Sequence, residues 1–164
     1  SIGGLSQLQV LGLNENKLEG ELPSSLALMT ALKSFLVGVN LFSGAPECFS
    51  PSQTELSVVD LTSNNFRGLI PGVLFELPGV RIVAMTKNCF SGPLPTTICQ
   101  ATGLVSLVMD GLTSNYQCRH SIIMPTDRIY YSNFMEGTIP EFTCTVRVLR
   151  YAVSCDGRMA ILTC

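Results

Sequence analysis

The chain has 164 residues, of which 46% are hydrophobic and only 13% charged, with seven cysteines, one histidine, no tryptophan and a formal net charge of −2. It is too apolar for a disordered chain, yet glycine and proline interrupt it too often for any apolar run to reach the roughly 18 residues of a membrane span. The near-neutral charge and scattered basic residues exclude the electrostatic footprint of a nucleic-acid or anionic-membrane binder.

From the N-terminus, one apolar pattern returns every 24 residues. Leu8, Leu32, Leu56, Val80 and Leu104 open it; Leu11, Phe35, Val59, Val83 and Leu107 follow three positions on, and Leu13, Val37, Leu61, Met85 and Met109 two after those. Apolar residues two apart share one face of an extended strand, so each LxL predicts a short strand with its apolar residues inward. Successive strands then pair in parallel. Asn16, Asn40, Asn64 and Asn88 come next, where the chain leaves the sheet. An amide there can donate to and accept from backbone groups of adjacent turns that no strand ladder satisfies. Leu18, Phe42, Phe66 and Phe90 follow, then Gly20, Gly44, Gly68 and Gly92, where glycine allows a tight backbone path. Pro23, Pro71 and Pro95 impose an extended path where a helix would otherwise start. Each unit can bury its apolar face only against its neighbours, which predicts a solenoid.

Three places break the period. In the second unit Pro46 falls one residue early, yet Leu56 is back in phase, so a deletion is offset by an insertion within residues 47–55. The fifth strand, Leu104 to Met109, is regular, but Leu112 stands where Asn is expected, and the missing half returns at Asn133-Phe-Met-Glu-Gly137-Thr-Ile-Pro140. Residues 112–132 therefore read as an insertion inside the fifth repeat, with Pro125-Thr-Asp127 able to turn a hairpin between Ile122–Met124 and Ile129–Tyr131. A sixth unit, residues 141–164, is degenerate: Val148, Tyr151 and Val153 keep the LxxLxL spacing and Asp156 stands near the Asn position, as in a C-terminal cap.

The unit LxxLxLxxNxLxGxLP, with Gly20-Glu-Leu-Pro23, Gly68-Leu-Ile-Pro71 and Gly92-Pro-Leu-Pro95, resembles the plant-type class of leucine-rich repeats. That class occurs in receptor-like kinases, receptor-like proteins and secreted inhibitors of cell-wall hydrolases, and some protist surface antigens are similar. The resemblance runs from Leu5 to about Val153. It implies one leucine-rich repeat domain over residues 1–164: a curved right-handed coil of about six turns, mostly strands, loops and 3-10 turns, with a parallel concave sheet. Ser1-Ile-Gly-Gly-Leu5 reads as the middle of a repeat, so the chain is expected to be a piece of a longer protein.

None of the seven cysteines forms CxxC, and one histidine gives no paired zinc ligands. Cys99 and Cys144 each lie four residues after a repeat proline and so occupy equivalent positions in adjacent turns. Turns stack at about 4.8 Å, inside the Cα separation of about 4.4–6.8 Å that a disulfide accepts, so the two could be bridged. The alternative is that both are small buried hydrophobes. Cys118 opens the insertion, and Cys155 and Cys164 close the chain, in pairings the spacing leaves open. The cysteine count fits an oxidising, extracellular or cell-surface setting, although no Asn-x-Ser/Thr acceptor is present.

Residues between the inward positions face out on the concave sheet. The expected columns give Leu36, Val58, Asp60, Thr62, Ile82, Thr86, Val108 and Asp110 as candidate ligand-binding residues: a weakly apolar patch beside polar groups. Strand propensity of β-branched residues is the competing explanation. The insertion is the second candidate, carrying Arg119, His120, Arg128, Tyr130 and Tyr131, with a tolerated surface loop as its alternative. No phosphate loop, nucleophile elbow or catalytic histidine pattern appears, so the expectation is a binding module without cofactor or metal, and not an enzyme. The favoured partner is a protein or peptide, with a glycan as a further option, recognised by part of the ectodomain of a cell-surface receptor-like protein. A kinase domain would lie outside this chain, and the chain itself touches no membrane. The other readings are a structural surface coat and a secreted inhibitor of an extracellular hydrolase.

Overall fold

The computed structural model describes residues 1–91 and 95–109, together with the backbone of 154–155 and 158–159. Nine strands belong to the repeats: β1 (Val10–Gly12), β2 (Glu19–Glu21), β3 (Ser34–Leu36), β4 (Leu41–Gly44), β5 (Val58–Asp60), β6 (Asn65–Gly68), β7 (Ile82–Ala84), β8 (Cys89–Phe90) and β9 (Ser106–Val108). The odd-numbered strands form one parallel five-stranded sheet in the order β1-β3-β5-β7-β9. Their register is the repeat period itself: Leu11 pairs with Phe35, Phe35 with Val59, Val59 with Val83 and Val83 with Leu107. This is the predicted leucine-rich repeat architecture, with each strand centred on the first inward residue and ending before the second.

The even-numbered strands form a second parallel sheet, β2-β4-β6-β8, along the flank where each turn leaves the first. The LxG segment that spacing read only as a tight path is thus itself a strand. In it Gly20, in the middle of β2, and Gly44 and Gly68, at the ends of β4 and β6, take φ of 87°, 75° and 81°, the left-handed region that only glycine enters cheaply. Pro23, Pro71 and Pro95 are extended, as expected, but each stands immediately before a 3-10 turn: Ser24–Leu28, Gly72–Phe75 and Thr96–Gln100. The second unit has no such turn. Its shifted segment instead buries Gln53, whose Nε2 donates to Leu26 O (3.1 Å) and whose Oε1 accepts from Ser50 N–H (2.9 Å).

Between the two sheets and the 3-10 turns runs one core. Leu56, Val59, Leu61, Phe66, Val83 and Met85 in the middle turns are at 0% exposure, and Leu8 and Leu13 pack against the same core, partly buried. Phe42, Phe66 and Phe90 stack along the solenoid with centroids 6.2 and 6.4 Å apart and nearly parallel rings, an arrangement worth about 0.5–1.5 kcal/mol per pair beyond area burial.

The asparagines form the predicted ladder. Nδ2 of Asn40, Asn64 and Asn88 reaches back one turn to the carbonyls of Leu13, Val37 and Leu61 at 2.8–2.9 Å. Their Oδ1 atoms accept from the backbone N–H of Leu18, Phe42 and Phe66 at 3.0–3.1 Å. One side chain thus joins both sheets of two turns. The residues just before them, Glu15, Val39, Ser63 and Lys87, all hold left-handed backbone with φ of 53–56°.

The insertion 112–132 and most of the degenerate sixth unit lie outside the described residues. Within the latter, β10 (Ser154–Cys155) pairs antiparallel with β11 (Arg158–Met159). The parallel strand expected from Val148, Tyr151 and Val153 lies outside what is described.

Candidate functional site

The five-stranded sheet presents its outward side chains in straight rows because the register is constant from strand to strand. One row is Val10, Ser34, Val58, Ile82 and Ser106, and the next is Gly12, Leu36, Asp60, Ala84 and Val108. Within a row, successive residues are about 4.8 Å apart from strand to strand, so one side chain per turn is offered to anything lying across the strands. Val10 (56%) and Ile82 (39%) are exposed, and Leu36, Val58 and Val108 are half-buried, so five apolar side chains meet solvent on one face. Inward-facing strand residues are at 0–7% exposure on the same strands, so the outward apolar residues are not core by another name.

Asp60 is the single charge in these two rows. Its Oδ1 accepts from Thr62 N–H at 2.9 Å, which turns the carboxylate along the strand end. Its Oδ2 leans across to the preceding turn, where Gly38 leaves room: a β-carbon at Gly38 would stand 2.8 Å from it. Thr62 and Thr86 continue this polar strip at the strand ends, half-buried. The structure therefore brings seven of the eight concave candidates, all but Asp110, onto one continuous surface. Asp110 lies outside the described residues, as do Arg119, His120, Arg128, Tyr130, Tyr131 and Cys144. Cys99 has its backbone in the 3-10 turn Thr96–Gln100, and its side chain is not described.

Spacing missed the row on the strand-entry side: Gln9, Lys33, Arg81 and Val105 are exposed there, with Ser57 half-buried between them. Their carbonyls extend the ladder, since Gln9, Lys33, Ser57 and Arg81 each accept from the next turn. The signal was available, because these positions keep the same 24-residue step one residue before Val10. Among the described residues no group of three or more His, Cys, Asp or Glu side chains comes together, and the face offers shape, apolar contact and one carboxylate. Cys48 is a poor nucleophile: at 1% exposure, burial pushes its thiol up to about 12.

A family model described as Leucine Rich Repeat matches residues 7–29 and 55–77. Among curated proteins, Receptor-like protein 7 of Arabidopsis thaliana is 34% identical over 109 residues, covering 66% of this chain and 11% of that protein. The chain spans only about a tenth of the length of the curated relatives it matches. The fold resembles the ectodomain of the Arabidopsis thaliana membrane receptor kinase GASSHO1/SCHENGEN3, solved with CASPARIAN STRIP INTEGRITY FACTOR 2. The TM-score there is 0.74 at 24% identity, over 90% of this chain and 15% of that one. It also resembles PEPR1 in the PEPR1–AtPEP1 structure, with a TM-score of 0.69 at 27% identity over 94% of this chain and 22% of that one.

Proposed function

The chain is a leucine-rich repeat protein of the plant type, and from that premise we propose that it is part of the ligand-reading ectodomain of a cell-surface receptor-like protein. The observation that carries this reading is the in-register concave face, on which Leu36, Val58, Ile82 and Val108 meet solvent around Asp60, Thr62 and Thr86. A face with one apolar contact per turn and a polar strip beside it suits an extended peptide or a protein segment lying across the strands. Apolar contacts supply affinity there and the carboxylate and hydroxyls supply register. The likeness to receptor-like proteins supports a cell-surface location. Among the described residues no helix is long and apolar enough to cross a membrane. The insertion 112–132 is the second contact surface in this reading, through Arg119, His120, Arg128, Tyr130 and Tyr131.

The test is affinity capture from the extracellular fraction of the source tissue with three baits: the intact chain, Ile82→Asp, and the chain lacking 113–132. A partner held by the concave face is recovered by the intact bait and lost, at least tenfold, with Ile82→Asp. Loss only with the deletion assigns recognition to the insertion. Equal recovery by all three baits, or none by any, overturns the proposal.

A further inference from the structure

On the strand-entry side of the concave sheet Lys33 and Arg81 are exposed, with half-buried Ser57 on the turn between them. Turns stack at about 4.8 Å, so the backbones of the two cations stand about 10 Å apart along one edge. The Arg81 side chain is laid along that edge: its Nη1 donates to Val80 O at 3.3 Å and rests over Gly103, where a β-carbon would collide with it. Glycine at 103 gives the guanidinium its place. Glu55, two residues before Ser57, is also exposed, and among the described residues it forms an ion pair with neither cation. These three charges leave the edge net positive.

Across the sheet the sign reverses. Asp60 closes β5 three residues after Ser57, about 10 Å along the strand. Its Oδ1 accepts from Thr62 N–H, and its Oδ2 lies toward Gly38 with no cation paired to it among the described residues. The exit loops beyond carry Glu15 and Lys87, one of each sign and three turns apart. Between the two edges lie Leu36, Val58, Ile82 and Val108. Asp60 is half-buried beside them, so its carboxylate sees less solvent than a fully exposed one and attracts a cation more strongly. Across its strands the face thus runs from a cationic strip through an apolar one to a carboxylate.

Resting on the ligand-reading function, we propose that this face selects an extended peptide of split charge. Acidic side chains project to Lys33 and Arg81, a basic side chain projects to Asp60, and apolar side chains sit between. Alternate residues of an extended chain project to opposite sides, which delivers opposite charges to opposite edges. Peptides with the charges exchanged meet like charge at both edges and are rejected.

The test selects random linear peptides displayed on phage against the intact chain, Asp60→Asn, Lys33→Glu with Arg81→Glu, and Ile82→Asp. Asp60→Asn keeps an acceptor for Thr62 N–H and removes only the charge. Urea midpoints equal to that of the intact chain establish that the variants fold; if Arg81→Glu lowers the midpoint, Lys33→Glu alone carries the readout. The intact chain enriches peptides with acidic and basic residues around apolar ones. Asp60→Asn loses the preference for basic residues, and Lys33→Glu with Arg81→Glu exchanges the acidic preference for a basic one. Synthetic copies of the selected peptides bind Asp60→Asn about three- to fivefold more weakly than the intact chain. That difference shrinks as salt is raised. Identical charge preferences from the first three baits, with capture lost in Ile82→Asp, overturn this inference and leave the ligand proposal standing. No enrichment on the intact chain, or equal capture by Ile82→Asp, overturns both.

Discussion

Removing one rung of the asparagine ladder measures how far the repeats depend on it. Asn64 is at 0% exposure. Its Nδ2 donates to Val37 O (2.9 Å), Leu61 O (3.2 Å) and Thr62 O (3.2 Å), and its Oδ1 accepts from Phe42 N–H (3.0 Å). In Asn64→Ala the three carbonyls keep other donors: Val37 O has Asn40 Nδ2, Leu61 O has Asn88 Nδ2, and Thr62 O has Val39 N–H. The Phe42 N–H loses its acceptor inside the core. One orphaned buried donor costs about 1–3 kcal/mol, and the three weakened carbonyls add roughly 1 kcal/mol together, so the expected loss is about 2–4 kcal/mol. With an m-value of about 2 kcal/mol/M, the urea midpoint falls by about 1–2 M. Asn16→Ala is the control: that side chain is exposed and bonds only the nearby carbonyls of Leu13 and Asn14, so its loss stays below about 1 kcal/mol. Asn64→Asp sharpens the test, since it keeps the acceptor for Phe42 but aims a carboxylate at three carbonyls. That environment raises the folded pKa of the introduced carboxyl above its unfolded value. The protonated form can donate, so the deficit is smallest below about pH 4 and grows as pH rises through the raised folded value. Equal midpoint shifts for Asn64→Ala and Asn16→Ala would refute the ladder as a source of stability.

Two further outcomes follow from the same structure. Val39 holds φ 56° with a β-branched side chain that is 50% exposed, so Val39→Asn relieves left-handed strain at little burial cost and should raise stability by about 1 kcal/mol, read as a urea midpoint higher by roughly 0.5 M; an unchanged or lower midpoint refutes the strain. Cys48, with its thiol raised from 9.0 to about 12, should resist a thiol reagent at pH 8 in the native chain and react on unfolding. Because the folded value is the higher one, its contribution to stability is complete below pH 9 and is lost as pH rises toward 12. Rapid native labelling of Cys48 would contradict its burial.

Legibility varied along the chain for physical reasons. Leu11, Phe35, Val59, Val83 and Leu107 were readable as one buried row because a solenoid turns long-range packing into a fixed step along the chain. The concave rows around Val58, Ile82 and Asp60 followed by parity, since alternate strand residues face opposite sides. The strand-entry row through Lys33 and Arg81 obeyed the same step but has no apolar pattern to draw attention to it. The second sheet was hidden inside LxG, because a strand of two to four residues with glycine in it has no alternation long enough to detect.

The amino-acid order alone determined the period, the inward residues and the need for a buried amide in each turn, because each unit can satisfy its apolar face only against a copy of itself. The tertiary structure alone decided what neighbouring turns impose on one another. Val39 tolerates left-handed backbone because its N–H donates to Thr62 O (2.7 Å) in the next turn, and Asn40 N–H to Ser63 O (3.1 Å). Cys89 and Cys48 are the same residue type, yet one is a half-buried, disulfide-bonded sulfur on the second sheet and the other an inert core thiol. Such distinctions depend on contacts between turns, and no local pattern of residue types contains them.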